Sequence, residues 1–257
     1  MLNLYTLHAD PDSLAGFNEN VKMDPIAALK YAAHLGKRWP EGEKTILKSV
    51  EASYNYAMLV IKGRWPEGEK TILSKGSPLM AYLSAKNVIK GRWPEAEEHI
   101  ASDSTPAYYY AYHVIKGRWP PGEKAIASNF GDAYNYATSV IKGRFPPGEK
   151  AIAANPGVAS SYADNVIKGR WPPGEKAIAS HPFNAEQYAR KYFKGKRWPE
   201  GEKALLADAT PLMAYNYARN NIKGRWPEAE ALIKKNPHVW KDYQNYQKFL
   251  ASLKNHK

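Results

Sequence analysis

The sequence predicts an all-α protein: an α-solenoid of about eight helix–turn–helix repeats, each of 26–28 residues, with a C-terminal capping helix. Three observations lead to this fold class. A short motif recurs at nearly constant spacing, apolar residues before each copy follow the helical period, and glycine and proline interrupt each copy at the same places. The repeats are expected to occupy residues 23–236, after a divergent leader at 1–22 and before the capping helix at 237–257.

The recurring motif is Lys-Gly-Arg-Trp-Pro or a close variant. Each copy has an arginine followed by an aromatic residue and a proline, with a glutamate five residues after the arginine and an aliphatic residue eight after it. The arginines are Arg38, Arg64, Arg92, Arg118, Arg144, Arg170, Arg197 and Arg225. Because all copies share this spacing, one structural unit must be repeated along the chain.

The segment before each motif is predicted to be an amphipathic helix, which we call helix A. In the fifth repeat, Ala133, Tyr136, Ala137, Val140 and Ile141 fall at i, i+3, i+4, i+7 and i+8. The small alanine in the middle of this apolar stripe recurs in every copy. We therefore expect it to let a neighbouring helix approach closely.

The motif itself predicts the end of helix A and the start of a shorter helix B. Gly143 is expected to end helix A in the left-handed conformation, and Pro146 suits the first turn of the next helix. Glu149 lies in that first turn, where a negative charge favours the helix dipole. The residue before this glutamate is glycine in six copies but alanine at Ala96 and Ala229, so the position should need a small side chain rather than a positive φ.

Two helices this short cannot bury a core alone, since isolated helices below about 12 to 15 residues are marginal in water. Each repeat must therefore stack on the next, as in a solenoid. The end of the chain carries a longer apolar stripe, which predicts the capping helix. Its members are Val239, Trp240, Tyr243, Tyr246, Phe249, Leu250 and Leu253.

The repeat unit also supports a resemblance. Units of the form Tyr-Ala-x-x-Val-Ile-Lys-Gly-Arg-Trp-Pro-Glu-Gly-Glu, behind a leader that begins Leu4-Tyr5-Thr6-Leu7-His8, resemble a family of short helical repeat proteins from tailed phages and uncultured viral genomes. The resemblance covers nearly the whole chain. It implies a viral origin and a helical array, but no established activity, so it assigns no catalytic or binding residues.

Several classes of protein are excluded or disfavoured. No stretch approaches the roughly 18 apolar residues of a membrane-spanning helix, and the first residues lack the features of a secretion signal, so a cytoplasmic location is expected, in an infected host cell if the protein is viral. The absence of cysteine rules out disulfides and thiolate metal sites. No catalytic motif is present, and we predict no enzyme activity, metal, cofactor or small-molecule substrate. The repeat pattern does not account for His8, Asp10 and Asp12 in the leader, so the sequence assigns them no role.

The net charge of +12 indicates a polyanionic or acidic partner. The repeated arginines have two interpretations: they contact a partner, or each pairs with a nearby glutamate or tryptophan and stiffens the array. The lysines two positions earlier have no obvious partner in the sequence and are expected to be solvated, where they either contact a partner or only keep the protein soluble. They are Lys62, Lys90, Lys116, Lys142, Lys168 and Lys223.

Two sets of tyrosines have different expected roles. Those within the apolar stripe of helix A should be core residues. A second set, two residues earlier, could line a binding surface or fill grooves between helices. It comprises Tyr54, Tyr82, Tyr108, Tyr134 and Tyr215. The residues after the recurring alanine vary between repeats, which suits either a base-reading surface or free drift on a solvent face.

The leading hypothesis is a non-enzymatic scaffold that binds an acidic protein partner through a basic, tyrosine-rich surface. The site would consist of the six lysines, the second set of tyrosines and the arginines Arg64, Arg92, Arg118, Arg144, Arg170 and Arg225. The alternative is a protein that binds RNA or single-stranded DNA, with the repeated lysines and arginines contacting phosphates. Self-association remains possible in both cases.

Overall fold

The computed structural model describes residues 23–254, and the fold of this part is all-α with no strand, as predicted. The chain divides into two compact units. The first ends at Ile126 and the second begins at Ala127. Within each unit, helix pairs follow one another as the repeats predict, so we number the repeats 1 to 8 along the chain.

Repeats 1 to 4 contain eight helices, in which odd numbers are A helices and even numbers are B helices. They are α1 (Pro25–Leu35), α2 (Pro40–Ile46), α3 (Val50–Tyr56), α4 (Pro66–Lys75), α5 (Pro78–Ser84), α6 (Glu97–Ile100), α7 (Ser104–Tyr110) and α8 (Pro120–Ser128). Three of the A helices continue as π-helix, over Ala57–Ile61, Ala85–Ile89 and Ala111–Ile115.

Repeats 5 to 8 follow the same plan and end in the capping helix. Their helices are α9 (Phe130–Asn135), α10 (Pro146–Ala153), α11 (Pro156–Tyr162), α12 (Pro172–Ala179), α13 (Pro182–Tyr192), α14 (Pro199–Asp208), α15 (Pro211–Asn216), α16 (Glu230–Ile233) and the cap α17 (Pro237–Lys254). The π-helical continuations are Tyr136–Ile141, Ala163–Ile167 and Tyr217–Ile222.

Packing proceeds from neighbour to neighbour in each unit. In the first unit, α1 packs against α2 and α3, α3 against α4 and α5, and α5 against α6 and α7. In the second unit, α9, α11, α13 and α15 each pack against their own helix B and against the next A helix or the cap. Each unit is therefore an α-solenoid in which successive repeats share an interior.

The interior is built from the residues that the helical period selects. In repeat 5, Ala133, Tyr136 and Ala137 are completely buried, as predicted for the apolar stripe. The recurring alanine is buried in every repeat, at 5% exposure or less, because a larger side chain would push the neighbouring helix away. The aromatic residue of the motif is also buried in repeats 2 to 8, so the motif contributes to the core.

The prediction that Gly143 takes the left-handed conformation is wrong. Lys142 has that conformation instead, with φ 55°, and the φ of Gly143 lies outside the left-handed region. The same holds for the other five lysines of the set, whose φ values lie between 55° and 58°. In repeats 1 and 7, which carry Gly-Lys-Arg, Gly36 and Gly195 do have positive φ, and in repeat 7 the preceding Lys194 does as well, with φ 46°.

The π-helical turn explains this shift. In repeat 1, the left-handed Gly36 is the fourth residue after Ala32, and α1 ends as an ordinary α-helix. In repeat 2, the left-handed Lys62 is the fifth residue after Ala57, and the N–H of Lys62 donates to the carbonyl of Ala57. One extra residue within the last turn widens it to the i→i+5 pattern, which brings the lysine rather than the glycine to the left-handed position.

The small residue in helix B is required by the aromatic ring of the motif. A Cβ atom on Gly68 would lie 2.3 Å from Cε3 of Trp65, so the ring occupies the space of a side chain. Repeats 3 and 8 have alanine there, and in both the first turn is a 3-10 helix, Pro94–Ala96 and Pro227–Ala229. The prediction of a small residue without positive φ is thus confirmed, and the tighter turn accommodates the extra methyl group.

Candidate functional site

The arginines pair with the glutamates of their own repeat. Both Nε and Nη2 of each arginine donate to the carboxylate of the glutamate five residues later, at 2.5–3.2 Å. The pairs are Arg38–Glu43, Arg64–Glu69, Arg92–Glu97, Arg118–Glu123, Arg144–Glu149, Arg170–Glu175, Arg197–Glu202 and Arg225–Glu230. The fork that would grip a phosphate is occupied in every repeat.

The stripe tyrosine of the next repeat joins this pair, in a contact that we call the tyrosine link. The hydroxyl of Tyr56 donates to Oε1 of Glu43 at 3.0 Å and accepts from the backbone N–H of Trp39 at 2.8 Å. Equivalent links are made by Tyr110, Tyr162, Tyr188, Tyr217 and Tyr243. These tyrosines are at most 1% exposed, so the predicted core role of the stripe tyrosines is confirmed.

Burial and hydrogen bonding shift the pKa values of the tyrosines and glutamates in these links. Desolvation raises the pKa of Tyr56, Tyr110 and Tyr162 to about 12, because a buried phenol resists ionisation. The hydrogen bond from Arg38 is the main reason why the pKa of Glu43 is lowered. The carboxylate therefore stays ionised and the phenol stays neutral, which is the pair of states that the link requires.

We call the contact between two adjacent repeats a joint, and the joint between repeats 2 and 3 lacks the tyrosine link. Repeat 3 has Ser84 where the other repeats have the stripe tyrosine, and Ser84 Oγ donates to the carbonyl of Met80 at 2.8 Å within its own helix. Arg64 and Glu69 still form their bidentate pair. Repeats 2 and 3 do keep a contact between helix B ends, where Nε2 of His99 lies 2.9 Å from the carbonyl oxygen of Gly76.

The six predicted lysines hold the same sequence position in their repeats, three in each unit, and for that shared position we call them the lysine row: Lys62, Lys90, Lys116, Lys142, Lys168 and Lys223. Each is exposed and occupies the residue after the π-helical turn. Within residues 23–254, the salt bridges involve none of them. The prediction that these ammonium groups face solvent is confirmed.

The second set of tyrosines is more buried than a binding surface requires. Tyr82, Tyr108 and Tyr215 are 4–8% exposed, and Tyr54 and Tyr134 are half-buried. Tyr54, Tyr82, Tyr134 and Tyr215 contact the next A helix or the capping helix, as the groove-filling interpretation proposed. Tyr109, which the sequence did not single out, exposes 38%, and Tyr112, one of the varying residues after the recurring alanine, exposes 45%.

Residues after the recurring alanine contact this second set, which the sequence did not reveal. Nδ2 of Asn87 donates to the hydroxyl of Tyr54 at 2.8 Å, and Nδ2 of Asn165 donates to that of Tyr134 at 2.7 Å. The ring of His113 stacks on Tyr82 with centroids 6.2 Å apart. Part of the variation at these positions therefore serves contacts between adjacent repeats.

A groove with a volume of about 1130 Å³ lies across repeats 1 to 3 in the first unit. It is lined by α1, α3, α5 and the loop after α4, and the sequence did not predict it. Nine of its lining residues are aliphatic, methionine or tyrosine: Ile26, Leu29, Val50, Tyr54, Met58, Leu59, Leu79, Met80 and Leu83. The missed signal is that these A helices carry extra apolar residues outside the shared stripe.

The groove is also positively charged. Lys30, Lys75, Lys86 and Lys90 line it together with one acidic residue, Glu51. Lys90 belongs to the lysine row, so the groove and the row are continuous at this point. An apolar floor with a basic rim suits a partner that is apolar on one side and acidic beside it.

The acidic residues near His99 do not form a metal site. Glu97 pairs with Arg92 and Tyr110, and His99 contacts Gly76. Among the described residues, no group of three or more histidines, aspartates and glutamates could hold a metal ion. His8, Asp10 and Asp12 lie outside the described residues.

Comparison with known proteins gave no match to a family model, a curated protein or a solved structure. Between residues 23 and 254, no helix has the length and apolar character to span a bilayer.

Proposed function

We propose that the protein is a non-enzymatic scaffold of helical repeats that binds an acidic protein partner through its exposed lysines. The observation that carries the proposal is the backbone conformation of the lysine row. A non-glycine residue in the left-handed region costs roughly 1–2 kcal/mol, and each row lysine is followed directly by a glycine. Stability alone would favour glycine at the strained position, so a recurring lysine there supports a role for its charge.

A protein partner fits the surface better than a nucleic acid. The arginine forks are closed by glutamates, and the rings of Tyr82, Tyr108 and Tyr215 are too buried to stack on bases. The groove of repeats 1 to 3 instead offers aliphatic surface, which binds apolar side chains. Surface of this kind beside lysines is typical of a site for an acidic protein segment.

The test replaces all six row lysines with glycine. Glycine adopts the left-handed conformation without strain, so the variant removes charge and keeps the fold. The matched control changes six exposed helix B lysines to alanine and lowers the net charge equally. These are Lys44, Lys70, Lys124, Lys150, Lys176 and Lys203.

Nuclease-treated lysate is passed over each immobilised protein, and captured proteins are quantified by mass spectrometry. We expect the wild type and the helix B control to capture the same acidic proteins, and the row variant to lose them. Equal loss in both variants would mean that bulk charge alone is responsible, and the proposal would fail.

The exposure of the lysine row also favours a test of the nucleic-acid alternative. Labelled single-stranded RNA and DNA are titrated with the protein over a salt series. Phosphate binding predicts affinity that falls steeply as salt rises, with a slope that the row variant reduces. Such a result, together with nuclease-sensitive capture, would replace the protein-partner proposal.

A further inference from the structure

The groove of repeats 1 to 3 has a chemistry that narrows the kind of protein segment it fits. Strand addition needs an exposed sheet edge, and residues 23–254 contain no strand. Proline-rich segments dock in grooves lined by aromatic rings, whereas this lining has one, Tyr54, whose hydroxyl accepts from Asn87. Leucine, isoleucine, valine and two methionines make up the rest of the floor.

Aliphatic and methionine side chains are the usual floor for a helix laid in a groove. Such a helix inserts apolar residues at i, i+3, i+4 and i+7. Met58 and Met80 have flexible side chains that adapt to the shape of these residues. The volume of about 1130 Å³ slightly exceeds the usual range for small-molecule pockets, so a segment with several side chains is a better match.

The lysines around the apolar floor of the groove determine which charged residues a bound helix should carry beside its apolar face. Four lysines and one glutamate line the groove, so acidic residues beside the apolar stripe would gain attraction and basic residues would be repelled. Lys86 lies in the π-helical turn after α5, Lys90 directly follows that turn, and Lys75 ends α4; all three are exposed. The Lys86 ammonium lies 5.8 Å from the centroid of the Tyr82 ring, and its exposure still allows it to meet a carboxylate.

We infer that this groove binds one amphipathic α-helix of a partner protein, with its apolar face against α1, α3 and α5 and its acidic flank against the lysines. The inference rests on the proposed function, which supplies the acidic protein partner, and adds the form and place of the contact. The joint without a tyrosine link lies within these repeats, between Glu69 and Ser84.

The experiment displays random peptides of about 16 residues, roughly 24 Å as a helix, and selects them on the full-length protein. We expect enriched peptides to be acidic, with apolar residues at i, i+3, i+4 and i+7, and to become helical on binding. Enrichment of basic or proline-rich peptides, or no enrichment, would overturn the inference.

The repeats provide matched variants. Leu79 and Leu212 are the second residues of α5 and α15, each after proline and before methionine, and they are 45% and 53% exposed. Leu79 lines the groove and Leu212 does not. In fluorescence anisotropy with an enriched peptide, Leu79→Glu should weaken binding more than about tenfold, or 1.4 kcal/mol, and Leu212→Glu less than about twofold.

A second matched pair of substitutions tests the charge of the groove. Lys86 and Arg219 each follow the recurring alanine and are exposed, but only Lys86 lines the groove. Lys86→Glu should weaken binding of the peptide, whereas Arg219→Glu should change the peptide affinity little. Equal effects of the two substitutions would show that the peptide responds to overall charge and not to this groove.

Two other results separate the inference from the proposed function. If Leu79→Glu leaves peptide binding intact while the row variant still loses the acidic proteins, the groove inference fails and the scaffold proposal stands. If sedimentation shows a dimer of the wild type that Leu79→Glu disrupts, the groove is covered by a second copy and the inference is overturned.

Discussion

The joint between repeats 1 and 2 has a tyrosine link, and the joint between repeats 2 and 3 has a serine in the equivalent place. Tyr56 links its helix to Glu43 and to the backbone of Trp39, whereas Ser84 bonds only within its own helix in the equivalent place. The arginine–glutamate pair is present in both. The pair is therefore a local contact over five residues, and among the three linked side chains the tyrosine is the one that comes from the adjacent repeat.

The largest expected effect comes from placing serine at position 56, in the joint between repeats 1 and 2. Tyr56→Ser removes a fully buried ring and leaves the N–H of Trp39 without its acceptor, so the free energy of unfolding should fall by about 3–5 kcal/mol. Ser84→Ala should cost about 1 kcal/mol, because it removes one hydrogen bond. Urea unfolding followed by circular dichroism measures both, and similar losses would mean that the tyrosine is no special link.

Removing the hydroxyl alone separates the hydrogen bonds from the packing of the ring. Tyr56→Phe should lower the free energy of unfolding by about 1–3 kcal/mol, since a buried N–H and a carboxylate lose a partner. Tyr82→Phe is the control: its ring is also buried, but its hydroxyl makes no tyrosine link. A loss in Tyr82→Phe as large as in Tyr56→Phe would contradict this account.

Alkaline pH should weaken the joint that Tyr56 links. The ordinary pKa of tyrosine is near 10, and burial raises that of Tyr56 to about 12. A raised pKa in the fold means that the stabilisation is complete below pH 10 and disappears as the pH rises from about 10 to about 12. The urea midpoint should fall over this range, with a smaller fall in Tyr56→Phe; an identical profile in both proteins would count against the link.

A substitution with a smaller expected effect tests the first turn of α4, which precedes the joint between repeats 2 and 3. Gly68→Ala places a methyl group against the ring of Trp65, and we expect a loss of about 1–2 kcal/mol as the first turn of α4 tightens toward the 3-10 form of repeats 3 and 8. Gly63→Ala meets no atom within 4 Å and should change the thermal midpoint little. Indistinguishable midpoints would show that the ring moves freely.

The smallest expected effect is a gain. Lys62→Gly relieves a left-handed lysine and should raise the free energy of unfolding by about 0.5–1 kcal/mol. Lys62→Val, which is branched at Cβ, should lower it because valine tolerates this conformation poorly. Both substitutions remove the same charge from the joint, so the difference between their thermal midpoints reports backbone strain alone.

Much of the fold followed from the sequence because its signals are local. The helical period located the stripe of Ala133, Tyr136 and Ala137, and the spacing of five residues between Arg144 and Glu149 already allowed a pair. The prediction for Gly143 failed for a geometric reason. In repeat 5 the π-helical turn widens helix A by one residue, which brings Lys142 rather than Gly143 to the left-handed position, and this turn has no signature in composition.

The sequence by itself determined the helical repeats, their order and the small residues at their contacts, because each depends on residues a few positions apart in the chain. Only the tertiary structure decided which tyrosine hydroxyls join adjacent repeats and where a groove opens across α1, α3 and α5. Those features depend on side chains from different repeats that meet only after the helices have packed, and the composition of any single repeat does not specify them.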